Sequence, residues 1–366
     1  MTLKKILIIL IILLIIALGI LAIYNFFIKE SPKSDEKSDN NTTNEYLDSR
    51  IKPISQEPVV GPIIINNKKA RYYLANNGNI FESDFDGSDK TQLSSNNLPG
   101  LIKVLWSKNK DKVIAIFEKD YLLEKYLYDY NADSFTLLDY KIRWIAWSST
   151  QEKIAYQYYD SQTGDSNISI ANPDGSEWNN ILSTRMKDLI VEWPDENKIT
   201  IRTKPSGLAQ SVIYAIDLFD NNLKKIIKET YGLTALWSPL GNKILISETN
   251  SQGKNLKLKL VDLNEQIIKE LTFITLPEKC VWSQDNRTIF CAVPKSIPVS
   301  AVLPDDYYKE KISFSDEIWQ INLETEDIIK IKDNSDYDAK ELLLSPLEDY
   351  LLFINQKDGL LYSLEL

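Results

Sequence analysis

Histidine is missing altogether from the 366-residue chain. Without an imidazole there is no base for a Ser-His-Asp or Cys-His nucleophile pair. Nor is there a ligand for His-bound zinc, non-haem iron or haem. Cysteine is nearly missing: the chain has 2, and an all-thiolate zinc site takes about four. Positive charge is in deficit, with 42 Lys and Arg against 52 Asp and Glu and a formal charge of −10. Such a chain is a poor partner for a polyanion, so nucleic-acid binding is not expected. What remains is paired carboxylates, a Lys or Tyr acid–base, or oxygen-ligated calcium or magnesium. No cofactor motif is present, and none is expected. Hydrophobic residues make up 43% of the chain, enough for most of it to bury a core.

The N-terminus is different in kind. Ile6 to Phe27 is an almost unbroken apolar run with no polar face. About 20 such residues span a bilayer core of roughly 30 Å. Lys4 and Lys5 precede the run without a compensating acid, which favours the N-terminus inside and the remainder outside. A cleaved signal peptide is the alternative, with Ala17-Leu18-Gly19 as its small-residue site, but the apolar run continues well past it. No cysteine lies nearby, so lipoprotein attachment is unsupported. The expected organisation is a transmembrane anchor over 1–28, a disordered tether of Ser, Asp, Lys, Asn and Thr over 29–50, and a folded domain over 51–366.

That domain is repetitive. Trp106, Trp147, Trp193, Trp237 and Trp282 recur in one local pattern, typified by Ala235-Leu236-Trp237-Ser238, and Leu344 occupies the same place in a further copy. Successive spacings are 41, 46, 44, 45 and 62 residues. A weaker first copy begins at Ile63-Ile64-Ile65, giving seven. Each copy reads as four short alternating strands separated by turns, and Asp84-Phe85-Asp86-Gly87 is one such turn. Four strands per repeat of roughly 40–45 residues is the pattern of a β-propeller blade. An all-β seven-bladed propeller is therefore expected, with six blades the alternative if the first copy is not a true blade. The last copy runs out after its third strand, and Ile51-Lys52-Pro53-Ile54-Ser55 has the character to supply the fourth and close the ring.

The stretch Trp-Ser-Pro-x-Gly-x-Lys-Ile-x-Ile from Trp237 to Ile246 resembles the repeat of TolB-type, WD-like propellers. Asp84-Phe85-Asp86-Gly87-Ser88 and Asn172-Pro173-Asp174-Gly175-Ser176 are similar to its second half. The resemblance covers about 51–366 and implies the propeller. It does not imply TolB's lipoprotein partnership, since there is no sign of that protein's additional N-terminal domain. Nor does it imply the peptidase activity of fused relatives, since G-x-S-x-G and histidine are both missing.

Several residues stand out within this frame. The repeat Trp residues read as core between blades. Asp84, Asp86 and Asp89 offer clustered oxygens, but Asp-Gly is ordinary hairpin chemistry and no metal is expected there. In a hairpin where Gln284 faces Arg287, the register sets Cys280 opposite Cys291, within reach of a disulfide. The spacing of 62 after Trp282 signals an insertion between Pro294 and Asp316, where Asp305, Asp306, Tyr307 and Tyr308 are candidate contact residues. Just before each repeat Trp the inner strand begins near the central channel. Those positions hold Lys103, Arg143, Glu278, Lys279, Lys340 and Glu341, a mixed-charge rim.

With no catalytic motif, the expected role is a membrane-anchored, extracytoplasmic, non-catalytic scaffold. It would bind a protein or peptide at the cell envelope and hold the membrane through its N-terminal helix. The alternative is a carboxylate enzyme of glycoside hydrolase type, with Glu192, Asp188 and Glu278 as the inner-strand acids to test.

Overall fold

The computed structural model describes residues 50–366 apart from 96, 121 and 333–335. The anchor and almost all of the tether lie outside the described residues. Among the described residues no helix is long and apolar enough to cross a membrane.

Alternating strands with turn residues between them fold into seven four-stranded antiparallel sheets, one per repeat. Numbered in chain order, the blades begin with Val59–Ile64, Leu101–Trp106, Ile142–Trp147, Ile190–Asp195, Ala235–Trp237, Cys280–Trp282 and Ala339–Leu344. First strands adjoin between blades 1 and 2, 2 and 3, 3 and 4, 6 and 7, and 7 and 1. The weak first copy is thus a blade. The ring closes as the strand count requires: Ile51–Pro53 is the outer strand of blade 7 and pairs antiparallel with Leu361–Glu365, Ile51 opposite Leu364 and Pro53 opposite Tyr362. Proline lacks an N–H, and an outer strand is where a sheet tolerates that. Arg50, counted with the tether on composition, donates from Nη2 to the Ile331 carbonyl at 2.8 Å and already belongs to the ring.

The core is a series of seams between blades rather than one central mass. Ile114 and Ile116 of blade 2, for example, pack on Ile142, Ile145 and Ile154 of blade 3. The repeat Trp residues serve these seams. Trp106 Nε1 donates to the Gly61 carbonyl at 2.8 Å and Trp147 Nε1 to the Leu105 carbonyl at 2.9 Å, each reaching back one blade. The Ser that follows Trp has its own reason. Ser107, Ser238 and Ser345 accept at Oγ from the backbone N–H of Lys112, Lys243 and Tyr350, at 3.1, 3.1 and 2.9 Å, closing the turn into the second strand.

The first strands of blades 1, 2, 3, 4 and 7 shift register against their second strands, and in blades 2, 3 and 7 the shift falls beside a rim residue. The register shifts between Leu101 and Lys103, between Ile142 and Ile145, and between Lys340 and Leu343. A bulge turns a side chain out of the regular alternation. Hence Lys103, Arg143 and Glu341 are exposed at strand starts, next to the buried Val104, Ile142 and Leu342, and Glu341 takes a positive φ of 50°.

Candidate binding site at the channel mouth

The loops between second and third strands lie at the end of the channel where the first strands begin. In blade 6 this loop is the insertion, 295–315, between Thr288–Pro294 and Asp316–Asn322. Its own apolar residues give it a small core: Ala301, Leu303, Tyr307 and Phe314 pack with Leu256 and Leu276. Two further devices fix it.

The first is a buried charge cluster. Lys279 and Asp316 and Asp338 are all fully buried. Lys279 Nζ lies 2.9 Å from Asp316 Oδ2 and 2.6 Å from Asp338 Oδ1, and also donates to the Ala339 carbonyl at 2.8 Å. Asp338 Oδ2 accepts from the Phe314 backbone N–H at 2.7 Å. Tyr307 stacks on Phe314, ring centroids 5.1 Å apart, and its hydroxyl is 3.2 Å from Asp338 Oδ1. Burial pushes the Asp316 carboxyl up to about 6, with Asp338 adding to the rise and Lys279 opposing it. This geometry corrects two sequence assignments. Lys279 is not on the rim, because the 3₁₀ turn Pro277–Lys279 directs it inward onto two carboxylates. Tyr307 is an interior anchor and not a contact residue.

The second device reaches across to blades 4 and 5. Asp305 accepts from Ser206 Oγ at 3.0 Å and from the Gly207 N–H at 2.6 Å. Leu303 N–H donates to the Gly253 carbonyl at 2.9 Å. Asp306 accepts from the Val302 N–H at 2.8 Å, and that bond holds its carboxyl below the usual carboxylate range, with Lys311 assisting. Both acids are therefore committed to holding the loop.

Tyr308 is what the loop presents. It is 47% exposed, and it stands beside Glu278 and Arg202. Partial loss of water around its hydroxyl at the crowded mouth, and the charge of Glu278, raise its phenol above the ordinary range, with Arg202 opposing. Arg202 ends the second strand of blade 4, Lys198–Arg202, opposite Ile190 of the first. Its Nε is 3.3 Å from Glu192 Oε2, and Trp237 Nε1 donates to the same oxygen at 3.3 Å. Burial works against the Arg202 charge, but Glu192, Tyr308 and Glu278 outweigh it and hold the guanidinium more firmly protonated. Glu278 accepts from Thr234 Oγ1 at 2.9 Å through Oε2. Two buried atoms are left over: Arg202 Nη1, a donor, and Glu278 Oε1, an acceptor, have no hydrogen-bond partner among the described residues. An unmet buried polar atom costs about 1–3 kcal/mol, so such pairs mark places for a ligand or water.

The other rim residues lie elsewhere around the mouth. Lys103, Lys340 and Glu341 share one side, where partial loss of solvent pushes the Glu341 carboxyl up and Lys340 and Lys103 oppose the shift. Arg143 lies over the Tyr159 ring at 5.5 Å from its centroid. Asp188 pairs loosely with Lys204 at 3.7 Å. Cys280 and Cys291 face each other in register and form a disulfide across the first hairpin of blade 6. Asp86 accepts from the N–H and Oγ of Ser88 at 2.9 and 2.6 Å, a turn closure and not an open ligand set. Among the described residues no group of three or more His, Cys, Asp or Glu could hold a metal ion.

Arg202 was not among the residues singled out from the sequence. It ends a second strand, whereas the repeat pattern draws attention to the starts of first strands. Its signal was a lone arginine at the end of Lys198-Ile199-Thr200-Ile201, a run otherwise destined for the core.

No family model and no curated protein sequence matches the chain. Solved structures share its fold. An oligogalacturonate lyase in complex with manganese is 11% identical over 86% of this chain and 93% of that one, with a TM-score of 0.62. The β-propeller domain of the trilobed protease from Pyrococcus furiosus is 13% identical over 84% and 95%, with a TM-score of 0.54. TolB from Acinetobacter baumannii is 14% identical over 82% of this chain and 64% of that one, with a TM-score of 0.48. The lyase and the protease domain, at identities this low, show a common propeller and nothing about activity.

Proposed function

We propose that the chain is a non-catalytic binding module that holds a peptide segment of a protein partner at the channel mouth. The observation that carries this reading is the pair of buried, unmet groups of opposite sense, Arg202 Nη1 and Glu278 Oε1. A peptide amide offers a carbonyl to the first and an N–H to the second. Tyr308 supplies a flat apolar wall at low entropic cost. The insertion that carries Tyr308 is fixed in advance by its buried cluster and by Asp305, so little ordering remains to be done on binding. Carboxylate catalysis is the weaker reading because Glu192 is already engaged by Arg202 and Trp237. A glycosidase acid must instead be free to give its proton to a leaving group. The apolar run at Ile6–Phe27 completes the proposal: it anchors the chain in a membrane, with the propeller on the outer side and its partner in the envelope.

The test is selection of peptides from a random library by the full-length chain, followed by affinity measurements on Arg202→Met, Glu278→Met and Tyr308→Ala. Each variant is expected to weaken the selected peptides by about tenfold or more, one lost hydrogen bond or aromatic wall apiece. Phe135→Ser, on the outer strand of blade 2 and 74% exposed, is expected to leave affinity unchanged. Selected peptides that bind all four proteins equally, or that are cleaved, would overturn the reading.

A further inference from the structure

A second feature of the mouth lies on the seam between blades 2 and 3, away from Arg202 and Tyr308. Lys125 is only 3% exposed. It occupies the middle of Leu122–Asp129, where its Cα pairs with Ile116, and Ile116 pairs in turn with Lys103. Residues paired across an antiparallel sheet share a face. Lys103, Ile116 and Lys125 thus form one row turned toward blade 3, and Ile116 packs there on Ile142 and Ile145. Arg143, the next residue after Ile142, is carried by the bulge.

No described residue accepts a hydrogen bond from the Lys125 ammonium, and none forms an ion pair with it. Burial pushes its pKa down, and the nearby Arg143 charge pushes it further the same way. The surroundings compound the problem. Arg143 and Lys187 sit over the same Tyr159 ring, at 5.5 and 5.1 Å from its centroid. Neither of them, nor Lys103, forms an ion pair among the described residues. The side chain is almost fully covered while its ammonium, without a protein partner, depends on water or an incoming group for its hydrogen bonds, and holding a charge there is costly. Gathering more cations beside it, in a chain with a formal charge of −10, raises that cost. An incoming anion removes it.

We infer that the blade 2–3 seam is an oxyanion site, in which Lys125 pairs with a carboxylate, phosphate or sulfate group of a small ligand while Lys103 and Arg143 flank it. Burial at Lys125 selects a group that gives up its water in exchange for a charge-assisted hydrogen bond. Tyr159 with Arg143 marks the outer edge of the site. The inference does not depend on peptide binding at blades 4–6.

The probes are inorganic phosphate, sulfate and acetate, titrated into the full-length chain at constant ionic strength against chloride. Binding is followed by calorimetry and by thermal unfolding. At least one oxyanion is expected to bind the wild type, and the ranking of the three tells which group the site is built for. Lys125→Met is expected to match or exceed the wild-type melting temperature in chloride, because it removes a charge without a protein partner from a side chain that is 3% exposed. It is also expected to lose affinity for the oxyanion by about tenfold or more. Arg143→Ala, an exposed change that leaves the fold intact, is expected to lose severalfold, which keeps the test decisive if Lys125→Met folds poorly. Sulfate stabilises proteins generally by exclusion from their surfaces, and the variants measure that background. No oxyanion binding by the wild type, or binding that survives both substitutions, would overturn the inference. Peptide affinity at Arg202 and Glu278 is expected to be unchanged by Lys125→Met, so failure of one site is distinguishable from failure of the other.

Discussion

Asp316 shows how a single residue couples the insertion to pH. Two buried carboxylates, Asp316 and Asp338, share one ammonium, and the folded chain keeps a proton on Asp316 up to about pH 6. The unfolded chain releases that proton near the ordinary aspartate value of about 4. Between these values the folded state binds more protons than the unfolded state. Stability from this group is therefore greatest at the acid end, falls as pH rises through the window, and levels off above about pH 6. Asp316→Asn has no proton to exchange. The wild type's stability margin over this variant is expected to be larger near pH 4 than near pH 7, by at most a few kcal/mol. Urea denaturation of both proteins at the two pH values checks this; a margin that is flat or grows with pH contradicts it. None of this was legible in the sequence. Lys279 reads there as one more charge at a strand start, beside Glu278. Only the inward 3₁₀ turn at Pro277–Lys279, and two acids 37 and 59 residues away, make it a buried centre.

At the scale of elements, the insertion was visible because the Trp spacing jumps to 62, and its register partner was too, since Cys280 and Cys291 fall opposite each other by counting out from a tight turn. Where the insertion leans was not visible. That depends on the backbone of two loops in other blades coming unusually close. A Cβ on Gly207 would lie 2.6 Å from the Gly253 Cα and inside contact distance of the Leu303 carbonyl oxygen. A Cβ on Gly253 would lie 2.6 Å from Val302 Cγ1. Glycine at both places is what lets Asp305 reach Ser206 and the Gly207 N–H. Gly207→Ala is expected to push the insertion off blade 4 without unfolding the ring, costing about 1–3 kcal/mol, the usual range for overpacking. Backbone amides of 301–309 are expected to exchange faster in this variant, and peptide affinity to drop as it does for Tyr308→Ala. Unchanged exchange there, with wild-type affinity, would show that the loop does not depend on this close approach.

The described residues are held as a ring, and the strand that closes it is short. Six blades are each made from consecutive strands, so their contacts are local in sequence, and they were readable from alternation and turns. Blade 7 alone takes its outer strand from the other end of the chain, Ile51–Pro53 against Leu361–Glu365. Around that strand, the Ile54 N–H donates to the Leu361 carbonyl at 2.7 Å, and the Ser55 Oγ accepts from the Leu361 N–H at 2.9 Å. Ile51 is buried with Phe353, Tyr362 and Leu364, and Ile54 with Phe85 and Leu352, so the segment ties blade 7 to blade 1 as well as covering its edge. Removing residues 1–55 would uncover Leu361–Glu365, a strand with an apolar face and a free row of backbone donors and acceptors. An edge of that kind pairs with another chain. The truncated protein is expected to melt well below one starting at residue 47, and to elute in light-scattering chromatography as dimers or larger species that pair through blade 7. A monomeric truncation with an unchanged melting temperature would mean that the six local blades, with three strands of the seventh, already form a complete ring, and that the closing strand contributes only its own few hydrogen bonds.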